Sequence, residues 1–264
     1  MQSRNLILII LTMLLLGVGC KKQPSAVNLE QAHNKHGQKI MAPGLGTIGV
    51  IHESQLFVYY LNESHKWILD KVSQFEIPEK NEGILALGMG FLGVVQDKVM
   101  HFYYLDAENN WVRDNEVVFV MPSKYERIST MRIPWDIGYI TVENPKGVLQ
   151  FYYLSEDARW VKDETVQFVL PQPLDDYMLL GGMEIAVIKD NKLGVYQLTD
   201  DAQWHFADDL VLSLPEDSKA VIAFEPGTIA VLVEDNTTLR FFDLDFMDKR
   251  WVMDPGMDFS IPRF

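Results

Sequence analysis

From Lys39 to the end of the chain, apolar residues come in short runs rich in Val, Ile, Phe and Tyr, each bounded by Asp, Asn, Glu, Gly or Pro. No window of eleven or more residues in this region keeps an apolar face at helical spacing. Short β-rich runs closed by turn residues predict strands. Runs such as Phe57-Val58-Tyr59-Tyr60-Leu61 are apolar at every position. A strand of that kind is covered on both faces, as in a sheet sandwiched between two others.

The runs recur with a period. Trp67, Trp111, Trp160, Trp204 and Trp251 stand 44, 49, 44 and 47 residues apart. Eleven residues after each comes a proline: Pro78, Pro122, Pro171, Pro215 and Pro262. Eight residues after stands Phe75, Phe119, Phe168, Leu212 or Phe259. Leu61, Leu105, Leu154 and Leu198 stand six residues before, and Leu244 seven before. Upstream, each copy carries an apolar–small–apolar segment: Ile48-Gly49-Val50-Ile51, Leu92-Gly93-Val94-Val95, Ile137-Gly138-Tyr139-Ile140, Ile185-Ala186-Val187-Ile188 and Ile229-Ala230-Val231-Leu232. A repeat of about 45 residues holding four short strands predicts an all-β, five-bladed β-propeller of four-stranded antiparallel blades. An open solenoid fits poorly, because its repeats are shorter.

The second copy gives the strand phase. Ile84–Leu87 is innermost, followed by Phe91–Val95, Val99–Leu105 and an outer segment Trp111–Met121, which Pro122 ends because proline cannot continue a ladder. The matching inner strands lie near Lys39–Met41, Ile128–Met131, Tyr177–Leu180 and Ala220–Phe224. The blades are then 39–80, 81–124, 125–173, 174–216 and 217–264. The chain starts on an inner strand and ends on an outer one, so closure rests on side-chain packing between the first and last blades.

The N-terminus follows a different pattern. Arg4 precedes an apolar run, Leu6–Leu16, broken only by Thr12 and closed by Gly17-Val18-Gly19. Eleven residues are too few to span a bilayer and suit a secretory signal over residues 1–19. The chain's single cysteine, Cys20, follows at once. Leu16-Gly17-Val18-Gly19-Cys20 resembles the lipobox of bacterial lipoproteins, with Gly17 where that family usually has Leu. The resemblance implies signal removal, a lipid on Cys20 and a place in the cell envelope. Lys21, rather than Asp, after the cysteine implies the outer membrane. Residues 20–38 are polar and are expected to form a tether. His33 and His36 have too few further ligands beside them for a metal site.

Composition narrows the function. With 23 Lys+Arg against 37 Asp+Glu, the net charge is −14, which argues against nucleic acid. One cysteine excludes an internal disulfide and a cysteine-based zinc site. The acidic third-strand hairpins invite calcium, but Asp and Asn also build turns by bonding their own backbone. The Asp three residues after most of the tryptophans is read the same way, as a backbone acceptor at a bend. One Trp per copy is what a repeated packing site requires. Trp135 breaks the register and, with Arg132 and Asp136, is the candidate for a ligand contact. No G-x-S-x-G, H-E-x-x-H or phosphate loop is present. A glycosidase needs two facing carboxylates, for which Glu53, Glu143 and Glu184 are the available candidates. The expectation is a lipid-anchored binding or scaffold propeller without cofactor or metal, taking a protein partner. At fold level it resembles other envelope lipoproteins built as propellers. The alternative is a glycan-binding module, since the repeat number and length resemble those of five-bladed lectins. A hydrolase ranks third.

Overall fold

The computed structural model describes residues 32–33, 38–44, 46–88, 90–133, 136–233, 237–245 and 247–264; of residues 32, 33, 132, 133, 136 and 137 it describes the backbone alone. The expected signal, Cys20 and Trp135 lie outside the described residues.

The protein is an all-β, five-bladed propeller. Blade one holds β1 (Ala32–His33), β2 (Lys39–Gly44), β3 (Thr47–His52), β4 (Gln55–Leu61) and β5 (Trp67–Glu76). Blade two is β6 (Gly83–Gly88), β7 (Phe91–Gln96), β8 (Val99–Leu105) and β9 (Trp111–Val120). Blade three is β10 (Arg127–Ile133), β11 (Asp136–Glu143), β12 (Val148–Leu154) and β13 (Trp160–Val169). Blade four is β14 (Asp176–Gly181), β15 (Glu184–Lys189), β16 (Lys192–Leu198) and β17 (Trp204–Ser213). Blade five is β18 (Ala220–Glu225), β19 (Thr228–Val233), β20 (Thr238–Asp245) and β21 (Arg250–Ser260). Each blade is an antiparallel meander with strands in chain order.

The inner strands form the ring: β2 touches β6, β6 touches β10, β10 touches β14, β14 touches β18, and β18 returns to β2. Between each pair of neighbouring blades lies one apolar core, and the core joining blades five and one is built like the others. Ile40, Ile48 and Val50 meet Phe224, Phe241 and Phe259 there. Gln38 Nε2 donates to the Pro262 carbonyl at 3.2 Å, and Phe264 stacks on His52 and Phe57. Closure rests on side chains, and no blade is shared between the two ends of the ring.

Every inner strand runs from the end where blades connect (the entry end) to the end bearing the first hairpin of each blade (the exit end). The repeated prolines sit at the entry end, two residues past the outer strands. β1 departs from a purely unstructured tether: Ala32 and His33 pair with Ile40 and Lys39.

Pairing corrects one register. Gly49 opposes Val58, and Gly93 opposes Phe102. In blade three the residue so placed is Thr141, opposite Phe151. The small-residue column therefore passes through Ile140-Thr141-Val142-Glu143, three residues beyond Ile137-Gly138-Tyr139-Ile140. The longer β11 repeats an Ile-Gly pair near its start and so imitates the pattern.

Candidate functional site

Each tryptophan stands at the start of an outer strand, Trp251 one residue in, and reaches the preceding blade. Trp67 Nε1–H donates to the Met257 carbonyl at 2.8 Å, Trp111 to Ser73 at 3.2 Å and Trp251 to Leu210 at 3.2 Å. In each case the acceptor lies six residues after the preceding tryptophan. The rings pack on phenylalanines: Trp67 on Phe241 and Phe259, Trp111 on Phe75, Trp160 on Phe102 and Phe119, Trp204 on Phe151 and Phe168. The indole N–H groups of Trp160 and Trp204 are buried without an acceptor. The two clefts flanking blade three therefore lack the bridge that the other three interfaces make.

The acidic positions have identifiable work. Asp70 Oδ1 accepts the N–H of Val72 and Ser73, and Asp114 Oδ1 those of Glu116 and Val117. Asp163 accepts from Thr165, and Asp254 from Gly256. These bonds fix the bend in each outer strand. Burial alone would raise the Asp70 pKa, but bonds from the Ser73 side chain and the two N–H groups hold it below the usual carboxylate value. In the hairpins, Asn62, Asp106 and Asp245 each accept two turn N–H groups. Among the described residues no group of three or more His, Cys, Asp or Glu is placed to hold a metal.

The ring axis offers little room. Met41, Ala42, Leu85, Ala86, Thr130, Leu179, Ile222 and Ala223 line an open cavity of ≈ 20 Å³ there. Thr130 Oγ1 donates across to the Ala86 carbonyl.

Sequence reasoning missed a polar island between blades three and four at the entry end. Arg127 and Ser129 on β10 oppose Glu143 and Thr141 on β11. Elsewhere the Ser129 position holds Met41, Leu85, Met178 or Ile222, and the Thr141 position holds Gly or Ala. The sizes trade: the larger Thr141 fits because Ser129 is small. Arg127 pairs with Asp176 at 2.5 Å, and its guanidinium lies 4.4 Å over the Tyr177 ring. Tyr177 donates to Glu143 Oε2 at 3.1 Å. Burial raises the Glu143 pKa, against the Tyr177 bond that lowers it, and burial also pushes the Tyr177 phenol up. Ser129 and Thr141 are each 1% exposed; the Thr141 hydroxyl has no hydrogen-bond partner, and the Ser129 hydroxyl has none but the neighbouring Tyr177 phenol, whose pKa it draws down. The signal that could have found this island is the pair of polar residues in the apolar column, which the three-residue slip concealed.

The three glutamates do not converge. Glu143 ends β11 at the entry end, where Glu53 occupies a hairpin turn. Glu184 begins β15 at the exit end, where it accepts from Gln197 at 2.7 Å and is pushed up by burial. Of the ligand candidates, Arg132 and Asp136 fall on the two strands of the exit-end hairpin of blade three, which pairs Ile133 with Asp136.

No protein-family model matches the chain, and no curated protein matches it in sequence. Similar solved structures include a Lactobacillus plantarum protein, 11% identical with TM-score 0.43, covering 82% of this chain and 69% of that one. A Bacteroides fragilis protein described as a candidate 6-phosphogluconolactonase is 8% identical with TM-score 0.42, covering 82% and 68%. Kluyveromyces lactis Hsv2 is 12% identical with TM-score 0.39, covering 83% and 84%. Likeness at this level carries no argument about activity or ligand.

Proposed function

We propose that the chain is a binding module of the bacterial envelope, held by a lipid on Cys20 and offering the exit end of its propeller to a protein partner. The observation that carries this reading is the exit-end hairpin of blade three, where β10 and β11 run longer than their counterparts in the other blades and Arg132 and Asp136 fall on the two strands. Stacked sheets supply a rigid surface, and the polar tether sets its reach. A protein partner is favoured over repeated glycan sites because the tryptophans of the repeat are inserted between blades rather than laid open.

The test uses the full chain in cells. A palmitate analogue is expected to label the wild type and not Cys20→Ser. Photo-crosslinking residues at the exit-end positions Glu63, Glu108 or Arg159 are expected to capture one discrete co-purifying protein. The same residue at the entry-end positions Lys98, Lys146 or Lys192 is expected to capture none. Label on Cys20→Ser, or equal capture from both ends, refutes the reading.

A further inference from the structure

The exit-end side of each sheet carries a row of three side chains, aligned by register across the second, third and outer strands and facing the next blade. In blade two the row is Phe91, Tyr104 and Val112, with the first two rings 6.2 Å apart. In blade three it is Tyr139, Tyr153 and Val161, with the two tyrosine rings 6.5 Å apart. In blade one it is Thr47, Tyr60 and Ile68. Blades four and five place polar residues there, and these bond within the row. Gln197 donates to Glu184 at 2.7 Å, and Thr228 donates to Asp243 at 2.7 Å. Val252 is the apolar member of the blade-five row. Those two blades close their interfaces without an aromatic row, so the ring does not demand one. In the first three blades the rows stay partly open to solvent: Tyr60 and Tyr153 are 41% exposed, and Ile68 and Val161 39%.

We infer that the exit-end sector of blades one to three docks a polypeptide that presents an apolar anchor flanked by lysine or arginine. The inference rests on the exit-end reading above and names the chemistry of its partner. Half-exposed tyrosine beside isoleucine and valine has the composition of an interface core, because a tyrosine ring covers a large area while ordering only two side-chain torsions. The charge comes from the hairpins that join the third and outer strands of the same blades. They carry Glu63, Asp106, Glu108, Glu156 and Asp157 against Lys66 and Arg159. Asp106 Oδ1 accepts the N–H groups of Glu108 and Asn110, which fixes the shape of its hairpin and leaves the second oxygen open. An acidic rim around an apolar patch is complementary to a basic rim around an apolar anchor, and it repels an acidic partner. The net charge of −14 extends that attraction at low ionic strength. The same rows disfavour sugar. The Thr47 hydroxyl already donates to the Gly44 carbonyl at 3.0 Å, which leaves the phenols as the side-chain donors of the three rows.

The test pans a phage-displayed library of random peptides against the full chain and measures synthetic peptides from the selected pool by fluorescence anisotropy. The selected peptides are expected to carry net positive charge around at least one aliphatic or aromatic residue. Tyr60→Ser with Tyr153→Ser is expected to weaken their binding at least tenfold. Ile68→Thr with Val161→Thr, a second pair on the same surface, is expected to weaken it as well. Val252→Ser, on the blade-five row, is expected to leave binding unchanged. Glu108→Gln with Glu156→Gln and Asp157→Asn is expected to weaken binding and to flatten its dependence on salt. Thermal melting checks that each variant is folded. No enrichment, enrichment of acidic peptides, or unchanged binding in both folded pairs overturns the inference. Saturable binding of neutral oligosaccharides on a glycan array, lost in the tyrosine variant, assigns the surface to sugar and also overturns it. Exit-end capture in cells alongside any of these results refutes the peptide chemistry and leaves the exit-end reading standing; basic-peptide binding without exit-end capture does the reverse.

Discussion

The buried hydroxyls of Ser129 and Thr141 make a quantitative test of how the third interface is built. Both side chains are 1% exposed and oppose each other across β10 and β11; the Thr141 hydroxyl has no partner, and that of Ser129 has only the Tyr177 phenol. A buried polar group left unmade costs about 1–3 kcal/mol. Thr141→Val removes its hydroxyl at unchanged shape, whereas Ser129→Ala deletes one oxygen atom and gives up its contact with Tyr177. Taking the low end of the range, Thr141→Val is expected to stabilise the protein by about 1 kcal/mol, and Ser129→Ala to be close to neutral. For a domain of this size about 1 kcal/mol moves the melting temperature by about 2–4 °C, so the double variant is expected to melt about 2–4 °C higher. Urea denaturation should show a higher midpoint at unchanged slope. A double variant less stable than the wild type by 1 kcal/mol or more refutes the reasoning, because the hydroxyls would then be bonded in solution.

Further outcomes concern the buried carboxylates and the tryptophans. Burial raises the pKa of Glu143 and Glu184 in the folded state above their ordinary value of about 4.5. In the window above that value the folded state holds protons that the unfolded chain has released, so these two groups lower stability as pH rises through it. Glu143→Gln with Glu184→Gln should flatten that decline in denaturation curves taken from pH 4 to 8, and an unchanged slope counts against it. Asp70 has the opposite sign: its contribution is lost as pH falls below the usual aspartate range. For the tryptophans, Phe in place of Trp67, Trp111 or Trp251 removes a bonded N–H and should cost about 1 kcal/mol more than the same change at Trp160 or Trp204, measured by urea denaturation; equal costs at all five would contradict the asymmetry.

The ring was legible in the sequence because its packing device repeats. One tryptophan stands at the start of each outer strand and one proline follows its end, so the spacing alone gave blade number, strand phase and the side-chain closure. The sites were hidden where the repeat is broken. In blade three the longer β11 offers Ile137-Gly138 as a decoy, which moved Thr141 and Glu143 out of the apolar column and concealed the island with Arg127 and Tyr177. Whether the Trp160 and Trp204 indole N–H groups meet a carbonyl on the preceding blade depends on the spacing between sheets, to which local pattern is blind. The acids at Asp70, Asp114 and Asp106 were readable because their bonds are to N–H groups two to four residues away.

Clefts, axis and ends all presuppose that blade five closes directly onto blade one, and the Trp67 indole N–H reports that contact alone. Its bond to the Met257 carbonyl crosses the closing interface, as the bond of Trp111 to Ser73 crosses the next. Hydrogen exchange at the two indoles, followed by NMR in native buffer, is predicted to show Trp67 protected to the same degree as Trp111. Exchange of Trp67 at the rate of an exposed indole, with Trp111 still protected, would contradict the closed ring.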